Sequence, residues 1–306
     1  MESITFPNGA ITMAGNLFTP EGFDPAGTYP AIVVVHPGGG VKEQTAGLYA
    51  QKLAVQGYVT LAFDASFQGE SGGEPRHLED PAARVEDIRA AVDYLQSRPF
   101  VDSNRIGAFG ICAGGGYTVN AALTDYRIKA LGTVSAVNTG TAFRRGWFGL
   151  DSDTAAVPTL QQVAEQRTLE AQGAEIMHIP YVPVEPDEST PRDLAEASEY
   201  YLTPRASHPN AGNKFQFTRS ISRIFTFDAF HLLEELLQQP LLVVAGSEAD
   251  SLWMSTELFG RARVTGKEFL LVEGAGHMDL YDVPQYVDQA VAKATEFFGK
   301  HLAGSN

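Results

Sequence analysis

The chain has 306 residues, with 22 Lys and Arg against 37 Asp and Glu and a formal net charge of -15. Such a field repels phosphate backbones and anionic membrane surfaces, so neither nucleic acid nor membrane is expected as a partner. The single cysteine excludes an intrachain disulfide framework and a cysteine-based zinc site.

The length allows a large core, either as two domains or as one α/β domain carrying an insertion. Met1-Glu2-Ser3-Ile4 has no basic region and leads into no long apolar run. No signal peptide is therefore expected, and a cytoplasmic location follows by default.

In chain order, Ile4 to Pro20 reads as a hairpin turning at Pro7-Asn8-Gly9. Ala31-Ile32-Val33-Val34-Val35 is a continuous β-branched run, the pattern of a parallel strand buried on both faces, and His36-Pro37-Gly38-Gly39-Gly40 ends it. A helix is expected near Thr45 to Gln56 and a strand from Tyr58 to Phe63. Val85, Ile88, Val92 and Leu95 fall at helical spacing, so Pro81 to Ser97 reads as an amphipathic helix with proline in its first turn. Arg105 to Phe109 reads as a strand, followed by a helix near Gly115 to Leu123 and a strand from Ile128 to Val137. Pro240 to Ala245 and Phe269 to Val272 are two more strands, and a helix from Gln285 to His301 closes the chain. This alternation predicts a mostly parallel sheet with right-handed crossovers and flanking helices. Residues 138–239 break the rhythm with aromatic clusters, a helical segment from Thr159 to Gln172 and prolines at Ile179 to Pro191. They read as a cap inserted into a core made of residues 1–137 and 240–306.

The lone thiol sits in Gly110-Ile111-Cys112-Ala113-Gly114, between an apolar strand and a helix. That Gly-x-nucleophile-x-Gly turn lifts one side chain to the top of a sheet, which predicts a nucleophile. A buried, inert thiol is the plain alternative. A nucleophile needs a base and an acid that orients the base. Gly246-Ser247-Glu248-Ala249-Asp250 and Gly274-Ala275-Gly276-His277 each follow a predicted strand, at the end of the sheet where α/β proteins place ligands. Cys112, Asp250 and His277 thus appear in the order nucleophile, acid, histidine, which is the order of α/β-hydrolases. Glu248 is the alternative acid. The oxyanion donors are expected from the N–H of Ala113 and from Gly38 or Gly39. The helix that starts after Cys112 directs its positive end at the thiol and lowers its pKa.

These motifs resemble the α/β-hydrolase superfamily, and within it the dienelactone hydrolase-like branch, whose Gly-x-Cys-x-Gly-Gly elbow matches Gly110 to Gly115. Val41-Lys42-Glu43-Gln44, Leu61-Ala62-Phe63-Asp64 and Gly69-Glu70-Ser71-Gly72-Gly73 look like one bacterial group of hydrolases there. The resemblance covers roughly residues 1–137 and 240–303 and implies hydrolysis of an ester, thioester or lactone, with no metal or organic cofactor. Compact members of the branch lack so long an insertion. Fungal relatives resemble polyketide transferases, so acyl transfer through the same thioester is an alternative. A ligand-binding protein without catalysis is another. A haloalkane dehalogenase would need a carboxylate in place of Cys112.

Within the insertion, Phe143, Arg144, Arg145, Trp147 and Phe148 form one cluster, and Tyr200, Tyr201, Arg205 and His208 another. Phe143, Arg144, Trp147, Tyr200, Tyr201 and His208 are the candidates for binding a small acyl substrate, against the alternative of packing alone. Arg144, Arg145 and Arg205 are candidates for binding a substrate carboxylate. A homodimer is left open.

Overall fold

The computed structural model describes residues 1–304. Its strands are β1 Glu2–Asn8, β2 Ile11–Phe18, β3 Tyr29–Val35, β4 Val59–Phe63, β5 Val101–Ile111, β6 Ile128–Val134, β7 His178–Ile179, β8 Phe215–Gln216, β9 Leu241–Gly246 and β10 Glu268–Val272. Its helices are α1 Thr45–Val55, α2 Pro81–Gln96, α3 Ala113–Ala122, α4 Thr139–Arg145, α5 Val157–Ala171, α6 Arg192–Leu202, α7 Phe217–Ile224, α8 Leu233–Leu236, α9 Leu252–Arg261, α10 Asp279–Asp282 and α11 Pro284–His301.

Eight strands make one sheet in the order β1-β2-β4-β3-β5-β6-β9-β10. The β1–β2 and β2–β4 pairs are antiparallel and the remainder parallel. The β-branched run of β3 has its predicted burial. Ile32 and Val34 pack with Tyr49, Leu53, Phe297 and Phe298 on one face, while Ala31, Val33 and Val35 pack with Val85, Ile88, Val92 and Tyr117 on the other. Helices α1 and α11 therefore cover one side of the sheet, and α2 and α3 the other. Asp80 caps α2 by accepting from the Ala82 N–H at 3.0 Å, with Pro81 in the first turn.

The predicted strand to Val137 stops at Val134, because Ser135 takes a φ of +48° and turns the chain off the sheet. The segment between β6 and β9 holds α4 to α8 and the small antiparallel β7–β8 pair. Val163, Phe215, Phe217, Ile221 and Ile224 form a small apolar cluster within it, whereas Val182, Ala197 and Tyr200 join the main core. The expected helix near Thr159 is α5. Helices α6 and α7 went unforeseen, since prolines and polar residues around them mask a short apolar stripe. No helix among the described residues is long and apolar enough to cross a membrane.

Candidate active site

Cys112 is the hinge between β5 and α3. Its φ of +54° and ψ of -123° lie where side-chain-bearing residues are strained by about 1–3 kcal/mol. The surrounding chain holds it there. The Cys112 N–H donates to the Val134 carbonyl, and the Cys112 carbonyl accepts from Gly115 and Val137, each at 2.9 Å. A Cβ on Gly110 would strike the Gly114 carbonyl, and one on Gly114 would strike the carbonyl of Val35. Only hydrogen fits at these two positions, so the elbow's glycines are set by packing.

The Cys112 thiol is partly exposed and lies within hydrogen-bonding reach of His277 and Tyr281. Desolvation disfavours the thiolate, yet the charge of His277 and hydrogen bonds from His277, Tyr281 and the Ala113 N–H outweigh it, and the thiol sits below its ordinary pKa. His277 is buried, which favours its neutral form, but the facing thiolate and the nearby Asp193 raise its pKa above the ordinary value. Both shifts favour a thiolate–imidazolium pair. The Tyr281 hydroxyl is 3.3 Å from His277 Nε2, and burial followed by the Cys112 charge drives its pKa far up, so it stays a protonated donor.

The side chains beside His277 Nδ1 do not include the expected Asp250. His277 Nδ1 lies 2.6 Å from Ser251 Oγ and 4.0 Å from Asp193 Oδ2. Asp193 opens helix α6 in the insertion. Its Oδ2 accepts from the Trp147 indole N–H at 2.9 Å and the Ser251 N–H at 3.1 Å, while Oδ1 is buried without a partner. Asp250 instead turns its carboxylate toward the first turn of α6, where it accepts from the Asp193 N–H at 3.3 Å. The loop after β9 brings Ser251 to the imidazole and leaves Asp250 one residue short. Glu248, the alternative, is exposed. For Nε2 to take the thiol proton, neutral His277 must hold its own proton on Nδ1 and donate it to Ser251 Oγ, with the Asp193 charge behind.

The oxyanion side has Gly38 beside Ala113, the methyl of Ala113 lying 3.6 Å from where a Gly38 Cβ would stand. Gly38 lines the cavity above Cys112; Gly39, at φ +69°, lies under the Tyr181 ring, whose Cγ is 2.8 Å from a Cβ built on it. The base of this loop is fixed by His36. Its carbonyl accepts from Arg84 Nη2 at 2.7 Å, and its Nε2 accepts from the Ala65 N–H at 3.1 Å. Burial, then the Arg84 charge, hold His36 neutral, as accepting that hydrogen bond requires. Tyr181 also donates to Glu79, which accepts from Tyr117 at 2.7 Å.

A cavity of about 260 Å³ opens over the thiol, lined by Phe143, Trp147, Tyr181, Val182, Leu194 and Tyr201 among others. Phe143, Trp147 and Tyr201 thus stand where substrate-binding residues were expected. Three candidates do not. Arg144 pairs with Asp153 at 2.9 Å and donates to the carbonyls of Phe225 and Phe227. Tyr200, in the last turn of α6, is buried on the helix's inner face, where its hydroxyl accepts from the Thr45 N–H at 3.0 Å and its ring packs on Tyr281. His208 lies 3.9 Å from Glu43, away from the cavity. Arg145 is bound to Asp153, and Arg205 to Asp282 at 2.7 Å. Reasoning from sequence passed over Ser251, Asp193, Tyr181 and Tyr281. The four-residue spacing from His277 to Tyr281 was available as a signal; Asp193 had none. The acidic triplet Glu43, Asp64 and Glu70 converges closely enough for a cation, but the Lys42 ammonium already occupies it at 2.6, 2.9 and 2.5 Å.

The strand order, with its nucleophile elbow after β5 and its histidine after β10, defines an α/β-hydrolase. Residues 13–136 match the dienelactone hydrolase family model. The chain is 49% identical over 295 residues to protein YcjY of Escherichia coli (strain K12), covering 96% of each. It is 35% identical to the crystal structure of hypothetical protein PA2218 from Pseudomonas aeruginosa, with a TM-score of 0.91 over 98% of this chain and 93% of that one. The α/β hydrolase GrgF from Penicillium shares its fold at a TM-score of 0.81 and 22% identity, over 99% of this chain and 98% of that one. The chain belongs to one family with YcjY and PA2218, and its α/β-hydrolase fold together with the dienelactone hydrolase match over residues 13–136 supports a hydrolase.

Proposed function

We propose that the enzyme cleaves an ester, thioester or lactone through a covalent thioester on Cys112. The observation that carries this reading is a thiol held in a strained elbow, within reach of His277, on the floor of an apolar cavity. His277 Nε2 takes the thiol proton and the sulfur attacks the acyl carbonyl carbon. The tetrahedral oxyanion is met by the N–H groups of Ala113 and Gly38. The bond to the leaving oxygen or sulfur breaks as imidazolium returns its proton to that atom. Water, deprotonated by the same imidazole, then attacks the thioester, releases the acid and restores the thiol. Asp193, through Ser251, positions His277, so the triad is Cys112, His277 and Asp193, with the acid supplied by the segment that caps the site.

A second reading, transfer of the acyl group to an alcohol or amine, is favoured by one finding: the polyketide transferase grgF of Penicillium is 24% identical over 96% of this chain. One experiment tests both. Wild type is mixed with an activated ester, quenched rapidly and weighed intact, with and without an added alcohol. An acyl adduct on wild type, absent from Cys112→Ala, is expected. Partition of the acyl group to the alcohol, far above its share of the solvent, would select transfer. Turnover without any adduct in wild type, undiminished in Cys112→Ala, would refute the thiol mechanism.

A further inference from the structure

The apolar wall of the cavity consists of Ala142, Phe143, Trp147, Val182, Leu194 and Ala197. Its one carboxylate is Asp193, whose Oδ1 has no partner, and none of its lining residues is Lys or Arg. The nearby cations are engaged elsewhere. Arg144 and Arg145 hold Asp153, Arg205 holds Asp282, Arg192 holds Glu196, and Lys42 sits among Glu43, Asp64 and Glu70. The remaining polar atom of note is the Tyr201 hydroxyl, buried and without a partner.

Resting on the covalent-thiol reading above, we infer that this site takes uncharged acyl groups and rejects acyl groups that end in a carboxylate. A carboxylate pushed into the cavity would lose its water, find no cation except the His277 imidazolium already facing the thiolate, and meet the buried charge of Asp193, and each of these opposes binding. A ketone or hydroxyl there gives up far less hydration, and the Tyr201 hydroxyl is free to donate to a ketone oxygen or to accept from a hydroxyl. The arginines flagged in the sequence as carboxylate anchors therefore serve structure, Arg144 and Arg145 within the insertion and Arg205 between it and α10. Selection falls on neutral acyl chains even though the thiol chemistry is indifferent to a distal charge.

The test uses the intact wild-type protein and two activated esters: the mono-p-nitrophenyl ester of adipic acid, and its near-isostere in which a methyl ketone replaces the free carboxylate. The rate of acyl-adduct formation on Cys112 is read by rapid quench and intact mass, beside kcat/KM. The ketone is expected to acylate Cys112 at least ~30-fold faster, the signature of an unpaired charge excluded from the site. A ratio below that overturns the inference while leaving the thiol mechanism standing. If neither ester acylates Cys112, the thiol mechanism itself falls.

Discussion

The two halves of the active site are built differently. The half on the sheet consists mainly of backbone: a strained elbow, glycines without room for a Cβ, and a loop whose carbonyl is held by Arg84. The half in the insertion consists of side chains: Asp193 and Trp147 around the imidazole, and Tyr181 and Phe143 over the thiol. Backbone geometry leaves a local mark on sequence, because it demands glycine at fixed offsets. Side-chain geometry assembled from distant helices leaves none, because many helices begin with an aspartate.

That contrast can be broken or sharpened by substitution. The largest effect belongs to the sheet half. Cys112→Ala should lower kcat/KM by at least ~1,000-fold, since in the proposed mechanism it removes the bond-forming atom. Retained turnover would mean that another group attacks. His277→Ala should cost on the order of 100-fold or more. It also carries a pH signature. The thiol lies below its ordinary value of ~8.5 because the imidazolium favours the thiolate. Alkylation rates should therefore rise through a midpoint below that value in wild type, and the midpoint should move upward in His277→Ala. An unmoved midpoint would separate the two residues.

The sharpest comparison sets Asp193→Asn against Asp250→Asn. Loss of the charge behind His277 should cost ~10- to 100-fold in kcat with little change in KM, and should bring down the pH at which the imidazolium loses its proton. Asp250→Asn keeps a carbonyl oxygen for the Asp193 N–H and should cost less than ~5-fold. A reversed ranking would restore Asp250 as the acid. Gly110→Ala tests the sheet half without touching chemistry groups. Its new methyl meets the Gly114 carbonyl, and a loss of about 2 kcal/mol should appear as a fall in Tm of several degrees. The smallest effect is expected from Tyr181→Phe, which removes the hydroxyl bound to Glu79 and keeps the ring over Gly39. A ~3-fold fall in kcat/KM with unchanged thiol labelling would fit that position.

The sequence carried the sheet half nearly whole. The β-branched run of β3, the helical spacing in α2 and the glycines around Cys112 each express a constraint that acts within a few residues. His277 was legible for the same reason, as the first histidine past β10. The acid was placed one residue away from the group that meets the imidazole, because a strand's end fixes a loop's position but not which of two adjacent side chains turns inward. Asp193 lies 57 positions before Asp250, and only the docking of α6 brings them together. Arg144 and Tyr200 were misjudged because an aromatic or an arginine looks alike in sequence whether it faces a cavity or fills a seam.

The origin of Asp193 also bears on how this family can diverge. In a scaffold whose acid sits on the sheet, an insertion can be exchanged for another to change what is admitted, and the reaction rate is untouched. Here the exchange would remove the histidine's counter-charge together with the pocket wall. A chimera bearing a foreign insertion would need an acid at the same place in its own first helical turn, so in this chain one segment carries both the pocket wall and the histidine's counter-charge.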